Sequence, residues 1–324
     1  MNDEIKTAKG TSLSRLTVGT VQFGLPYGIA NSSGQPSYKE ARDILATAHK
    51  GGVNCLDTAV AYGTSEEVIG RALTELDMKD DFVVVTKVPP LPEGVKSVAE
   101  VDSFVEESVL NSLQRLRLDS VPVCMFHREN DYRYWESLWK LHQRGLVSFI
   151  GASTETPDRA LDIISGGDAG AVQIPSNLLD RRFSGKRVFQ AAREQGVTLF
   201  VRSIYLQGAL LLPLELLTGS LASFEPVLLK LRELAHQSGL AMEELSMRYM
   251  LGIEGVSSLV IGVESVAQMR HNVELAGKGA LPPDLKARVD ELVPQLPERL
   301  LNPARWRTVA EAPQPQPNSA LSAA

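Results

Sequence analysis

A closed (β/α)8 TIM barrel of the α/β class is the fold this sequence predicts, on three observations. Short, nearly continuous apolar runs alternate with amphipathic stretches through most of the chain, the pattern of parallel strands covered on both faces. Eight such runs can be counted, each followed by a helix-like segment. No G-x-G-x-x-G stands at a strand-to-helix junction, and the first turn reads Gly19-Thr20-Val21-Gln22-Phe23-Gly24, which argues against an open sheet with a dinucleotide fingerprint. The 324 residues match the length of one barrel with insertions.

The elements follow in order. Leu16 to Thr20 reads as the first strand. Tyr38 to Lys50 reads as a helix, with Ser37 as N-cap, Glu40 three residues later and Gly51-Gly52 as its stop. Val53 to Asp57 is the second strand and Ser65 to Leu76 its helix. Phe82 to Lys87 is the third strand. Its helix, Val101 to Leu116, places Val105, Val109, Leu113 and Leu116 on one face. Val123 to His127 is the fourth strand, followed by a helix over Tyr134 to His142. Ser148 to Ala152 is the fifth, and Thr156-Pro157 opens a helix with proline at its first position. Ala171 to Ile174 is the sixth strand, Arg187 to Glu194 a helix, and Thr198 to Val201 the seventh strand. Helices over Pro226 to Ser238 and Met242 to Leu251 lead to the eighth strand, Ser258 to Ile261. Val266 to Ala276 and Asp284 to Val293 complete the helices. The barrel is expected to occupy residues 1–300. The Pro-, Ala-, Gln- and Ser-rich stretch 301–324 is expected to be a mobile tail.

Composition narrows the function classes. Apolar residues make up 44% and charged residues 22%, as in a globular protein, and the formal charge of −6 gives no basic footprint for nucleic acid or an anionic membrane. Cys55 and Cys124 each lie within an apolar run, which reads as two small core residues in a reducing cytoplasm. Met1 to Gly10 is polar with no apolar h-region, so no signal peptide is expected. No apolar run has the length to span a bilayer. Oligomeric state is not legible, and a monomer is compatible with everything above.

In such a barrel the carboxyl ends of the strands form the active face. Here three adjacent strands end on Asp57, Lys87 and His127, and Tyr62 follows Asp57 by five residues on the same loop. A phenol donates a proton readily only beside a cation, and a carboxylate alone opposes its ionisation. Lys87 supplies that cation, Asp57 can hold it charged and oriented, and His127 can hydrogen-bond an incoming carbonyl oxygen. Taken singly, a strand-end Asp is often a helix cap, a Lys at that place reaches for solvent, and a His after an apolar strand is a satisfied core residue. Their joint placement points to polarisation and protonation of a carbonyl. No Cys/His set has metal-ligand spacing, so no metal is expected. His49, His142, His236 and His271 fall on helices and read as surface or structural.

These residues sit in segments that resemble the aldo-keto reductase family: Leu56-Asp57-Thr58-Ala59 with Tyr62-Gly63, Val85-Thr86-Lys87, Phe126-His127-Arg128, Gly145-Leu146-Val147 with Ile150-Gly151-Ala152-Ser153, Val172-Gln173 with Asn177 to Asp180, and Val260-Ile261-Gly262 with Gln268 and Asn272. The segments occur in order from near Arg15 to near Ala276. The resemblance implies a (β/α)8 barrel and an extended nicotinamide cofactor, NADPH by the family pattern. It implies direct hydride transfer to a carbonyl by a tetrad of Asp57, Tyr62, Lys87 and His127. It further implies that Ser153 and Gln173 meet the nicotinamide carboxamide, with Thr154 beside them where the family has Asn, and that Gly19 and Thr20 lie near the ribose. Arg202, Ser203, Leu206, Gln207 and Gly208 would pass beneath the nicotinamide and along the pyrophosphate. Ile261, Gly262, Val263, Ser265, Gln268 and Asn272 would serve the adenosine end. Arg202 stands where many members stack an aromatic ring, with Tyr205 nearby. Glu264 stands where members often carry a cation for the 2′-phosphate, which opens the choice of NADH; Arg270 offers a cation two residues past Gln268.

The substrate loops are expected at Phe23 to Gln35, at His127 to Arg133 and beyond Leu210, with Tyr27, Tyr62, His127 and Arg128 at the substrate. The polarity of Arg128-Glu129-Asn130-Asp131 leans toward a hydroxylated, sugar-like carbonyl over a steroid. Two other readings stand beside the reductase: a Schiff-base barrel using Lys87, and a cofactor-sensing regulatory subunit with little turnover.

Overall fold

Inward and outward side chains alternate along a strand, and this period of two governs the molecule. The computed structural model describes residues 4–29, 31, 34–95 and 97–306. Its strands β1 (Leu16–Gly19), β2 (Cys55–Asp57), β3 (Val83–Val88), β4 (Val121–Phe126), β5 (Val147–Ser153), β6 (Ala171–Pro175), β7 (Thr198–Arg202) and β8 (Ser258–Gly262) are parallel and pair in sequence order, with β8 closing on β1. The closed (β/α)8 barrel is the fold that the sequence predicts.

Cys55, Val83, Val85, Val123, Met125, Ala171, Phe200 and Val260 fill the barrel interior together with Ile5. The residues between them, such as Leu56, Val84, Cys124, Val172 and Leu199, pack outward against the helices. Continued to the carboxyl ends, the inward parity reaches Asp57, Lys87, His127, Ser153, Gln173, Arg202 and Gly262. Both cysteines are buried and unpaired, as expected.

The helices Tyr38–Lys50, Ser65–Leu76 and Met242–Leu251 have the bounds read from the sequence. Val98–Leu116 starts three residues earlier than the apolar pattern indicates, because Ser97 and Glu100 form a full capping box ahead of the first buried residue, Val101. Between β7 and the helix Glu225–Gln237 the chain forms three short 3₁₀ turns, Leu206–Gly208, Leu214–Leu216 and Gly219–Phe224.

The first and last described residues take part in the fold. An antiparallel bridge between Lys6 and Ser12 folds the N-terminal segment back on itself, and Ile5, 1% exposed, plugs the barrel floor. At the seam between β1 and β8, the Thr17 and Ser258 hydroxyls meet at 2.7 Å, and Arg15 Nη1 donates to Val256 O at 2.5 Å. Above them Val266 N donates to Glu40 Oε1 at 2.8 Å, joining the helices Tyr38–Lys50 and Val266–Gly277. Leu301 is buried, and the Trp306 indole lies 6.3 Å from the Phe224 ring and donates to Leu300 O at 2.8 Å. The expected tail from residue 307 onward lies outside the described residues. Among the described residues no helix is long and apolar enough to cross a membrane.

Candidate active site

A cleft of about 750 Å3 opens at the carboxyl ends of the strands. At one end Asp57, Tyr62 and His127 line it, with Lys87 fully buried behind them. Lys87 Nζ donates to Asp57 Oδ1 at 2.6 Å and to Thr58 O at 3.0 Å. Burial works against the charge of Lys87, but the adjoining Asp57 carboxylate and the Tyr62 phenol together outweigh it and hold the ammonium above the ordinary lysine range. Lys87 Nζ lies 5.3 Å from the centre of the Tyr62 ring. The Tyr62 and His127 rings meet edge to face at 5.7 Å. Burial, then the charges of Lys87, Arg202 and Arg128, push the His127 imidazole down to about 4, so the ring is neutral at pH 7. Its Nδ1 is buried and has no hydrogen-bond partner among the described residues. The sequence-predicted tetrad is therefore assembled in one place.

The loop carrying Tyr62 is set by close backbone approach. A Cβ on Gly24 would lie 1.7 Å from Tyr62 O, and one on Gly63 would lie 2.5 Å from Gly24 O. Gly63 also has φ +56°, which a side chain would strain. Beneath the loop, Ser65 Oγ accepts from Thr58 Oγ1 at 3.0 Å and lies 2.9 Å from Thr20 Oγ1, while Thr20 Oγ1 donates to Asp57 O at 2.8 Å. Below Lys87, the buried Glu66 carboxylate accepts from Thr86 Oγ1 and Arg115 Nε, each at 2.6 Å, tying the helix Ser65–Leu76 to β3.

Two other phenols line the cleft. Burial, then the neighbouring Tyr62, holds Tyr27 above its ordinary range, with Arg202 acting the other way. Burial, with Glu243, pushes Tyr205 far above its range. Among the described tyrosines, Tyr62 is the one with a lysine ammonium against its ring and a histidine beside it.

Most other sequence-predicted positions line the cleft too: Gly19, Thr20, Tyr27, Ser153, Gln173, Arg202, Ser203, Gln207, Gly208, Ile261, Gly262, Gln268 and Asn272. Gln173 Nε2 donates to Asp57 Oδ1 at 2.8 Å, so this side chain touches the tetrad directly. Arg202 is held by the Glu155 carboxylate and by Thr154 O at 3.4 Å. Ser203, Leu206 and Gln207 all have left-handed backbones, and the Gln207 amide donates to Tyr27 Oη at 2.9 Å, linking the β7 loop to the β1 loop.

Besides Lys87, five predicted positions do not line the cleft. Thr154 and Val263 follow inward residues, so parity turns them outward, and both are buried. Leu206 is buried in the outer core. Ser265 caps the helix Val266–Gly277 by accepting from Gln268 N at 3.2 Å. Arg128 is exposed outside the cleft. Its neighbours are engaged in structure: Glu129 Oε2 accepts from Glu155 N at 2.8 Å, and Asp131 Oδ2 accepts from Leu91 N at 3.2 Å. These two carboxylates are thus held within the fold by backbone N–H groups.

Gln22, Glu155, Glu243 and His271 line the cleft without having been singled out. His271, read as surface or structural, is exposed, and the packing of its helix sets it at the edge of the cleft. Asn302 and Pro303 also reach the cleft.

The aldo/keto reductase family model matches residues 15–294. The chain belongs to the aldo/keto reductase family. Its relatives in the family include the L-galactose dehydrogenase of Arabidopsis thaliana, 28% identical over 289 residues, covering 80% of this chain and 84% of that protein. The NADH-specific methylglyoxal reductase of Escherichia coli is 27% identical over 219 residues, covering 61% and 66%. The holo form of an aldo-keto reductase from Bacillus halodurans superposes with a TM-score of 0.73 at 23% identity, over 91% of this chain and 98% of that one, a likeness of fold. Membership brings NAD(P)H-dependent carbonyl reduction as the general chemistry of this reductase.

The cleft fits a dinucleotide in its own features. Where Gly262 faces it, an added Cβ would lie 2.5 Å from the Gln22 side chain, and Gln22 Oε1 is buried without a partner. Asn272 is 7% exposed, lines the cleft and has no hydrogen-bond partner among the described residues.

Proposed function

We propose that this reductase converts an aldehyde or ketone to an alcohol, with Tyr62 as proton donor. The observation that carries the reading is the buried Lys87–Asp57 pair against the Tyr62 ring, with neutral His127 at its edge. When bound, a nicotinamide cofactor would supply the hydride. Ser153 and Gln173 would hold its carboxamide end, Gly19, Thr20 and the Ser203 to Gly208 loop its middle, and Gln268 and Asn272 its adenosine end. His127 hydrogen-bonds the substrate oxygen and places it beside the phenol. Tyr62 gives its proton to that oxygen as charge develops there, and the Lys87 ammonium stabilises the phenolate left behind. Asp57 keeps Lys87 charged and fixed. Burial of this cluster strengthens each of these interactions.

Tyr62→Phe tests the assignment. Steady-state reduction of a carbonyl panel should fall by about 10²–10⁴-fold, the usual worth of a positioned acid, while calorimetric cofactor affinity stays as it was. Retention of most of the turnover would mean another group delivers the proton. A Schiff-base mechanism is disfavoured because Lys87 has no exposure and is ion-paired, so borohydride should trap no substrate adduct. A sensing subunit with little turnover would bind cofactor and fail across the carbonyl panel.

A further inference from the structure

The spacing of Ser37 and Glu40 predicts a capping box on the helix Tyr38–Lys50, and only half of it forms. Ser37 Oγ accepts from Glu40 N at 3.2 Å. The Glu40 carboxylate instead crosses to the last barrel helix and accepts from Val266 N at 2.8 Å. Val266 is the first residue of a 12-residue helix whose start borders the cleft. The N–H groups at such an end attract anions. Here two of its first N–H groups are met from within: Glu40 takes Val266 N and Ser265 Oγ takes Gln268 N at 3.2 Å, while Gln268 Oε1 takes Glu264 N, just before the helix, at 2.7 Å.

The surroundings add negative charge. Glu264 and Glu243 both line the cleft, the latter 3.7 Å from His271 Nε2. Arg270 does not line it. Among the described residues Arg202 is the only Lys or Arg that does, and it is paired with Glu155. An independent mark of a ligand lies at the same helix: the Asn272 side chain is 7% exposed, faces the cleft and lacks a partner among the described residues.

We propose that this end of the cleft takes an adenosine ribose with a free 2′-hydroxyl, so that the reductase selects NADH over NADPH, and that Glu40 and Glu264 set the choice. The inference rests on the dinucleotide reading above. A 2′-phosphate would enter a place where one carboxylate already caps the first N–H of the helix and a second carboxylate stands on the wall, and like charges so placed discriminate strongly. A ribose hydroxyl instead donates to a carboxylate. Glu40 acts through the helix it caps and through its charge.

The test is calorimetric titration of the full chain with NADH and with NADPH, for the wild type and for Glu40→Gln/Glu264→Gln. Glutamine keeps an acceptor oxygen for Val266 N, so the cap survives while the charge is removed; thermal melting verifies the fold. The wild type should bind NADH at least about tenfold more tightly. The double variant should narrow the ratio by at least about tenfold. Added salt should narrow it in the wild type through screening. Equal or tighter binding of NADPH by the wild type, or a ratio the substitutions leave unmoved, overturns the inference and leaves the reductase reading standing. Binding of neither nucleotide overturns the reductase reading and the inference with it.

Discussion

At the scale of single residues, His127 carries the clearest pH signature. Its imidazole is pushed down to about 4 by burial and by Lys87, Arg202 and Arg128, whereas an unfolded histidine titrates near about 6.5. Between these values the unfolded chain binds the extra proton and the folded chain does not. Stability from this group is therefore full above about 6.5 and is lost as pH falls toward 4. Denaturant midpoints measured between pH 7 and 4.5 should decline, and His127→Gln should flatten the decline; identical slopes would mean that other groups dominate. Parity explains which residues were legible in the sequence. Asp57, Lys87 and His127 lie at the strand ends on the inward face, where interior apolar residues two positions earlier, and also four for Lys87 and His127, give the register. Thr154 and Val263 sit one step out of phase, so resemblance placed them at the cofactor while the pleat turns them into the core. Glu243 and His271 lie on neighbouring helices, and their meeting beside the cleft is a matter of packing that no local pattern carries.

Among the elements, the two loops at the catalytic end are fixed by backbone contact. Gly24 leaves no space for a Cβ against Tyr62 O. Gly24→Ala should displace the Tyr62 loop and lower kcat/KM by about 10²-fold, the effect of misplacing a reacting group by roughly an ångström. Melting of the same variant separates displacement from unfolding, and unaltered kinetics would show that the loop yields without moving the phenol. Most helices were legible because their caps and apolar stripes agree, as at Ser37 and Gly51 around Tyr38–Lys50. The start of Val98–Leu116 was missed because its first turn buries nothing. The β7 loop was illegible for a related reason: Ser203, Leu206 and Gln207 adopt left-handed backbones without glycine, held by neighbours such as Tyr27.

For the molecule as a whole, stability and chemistry sit at opposite ends of the barrel, as is usual for this architecture. Ile5 closes the floor at 1% exposure. Ile5→Ala should cost about 2–4 kcal/mol of unfolding free energy while leaving cofactor affinity unchanged. A loss of affinity at full stability would show that the floor communicates with the cleft. This role was hidden in the sequence because Ile5 is a lone apolar residue in a polar stretch. The β1–β8 seam has a consequence for how the protein is made. Arg15 and Val256 meet across 241 residues, so during synthesis β1 waits with one edge unpaired until almost the whole chain has left the ribosome. Once β7 has joined the growing sheet, it presents a second open edge. Nascent chains crowded on one message are thus exposed to strand exchange late in translation. The Glu40–Val266 clasp lies across the same seam, so this end of the cleft matures only when the barrel shuts.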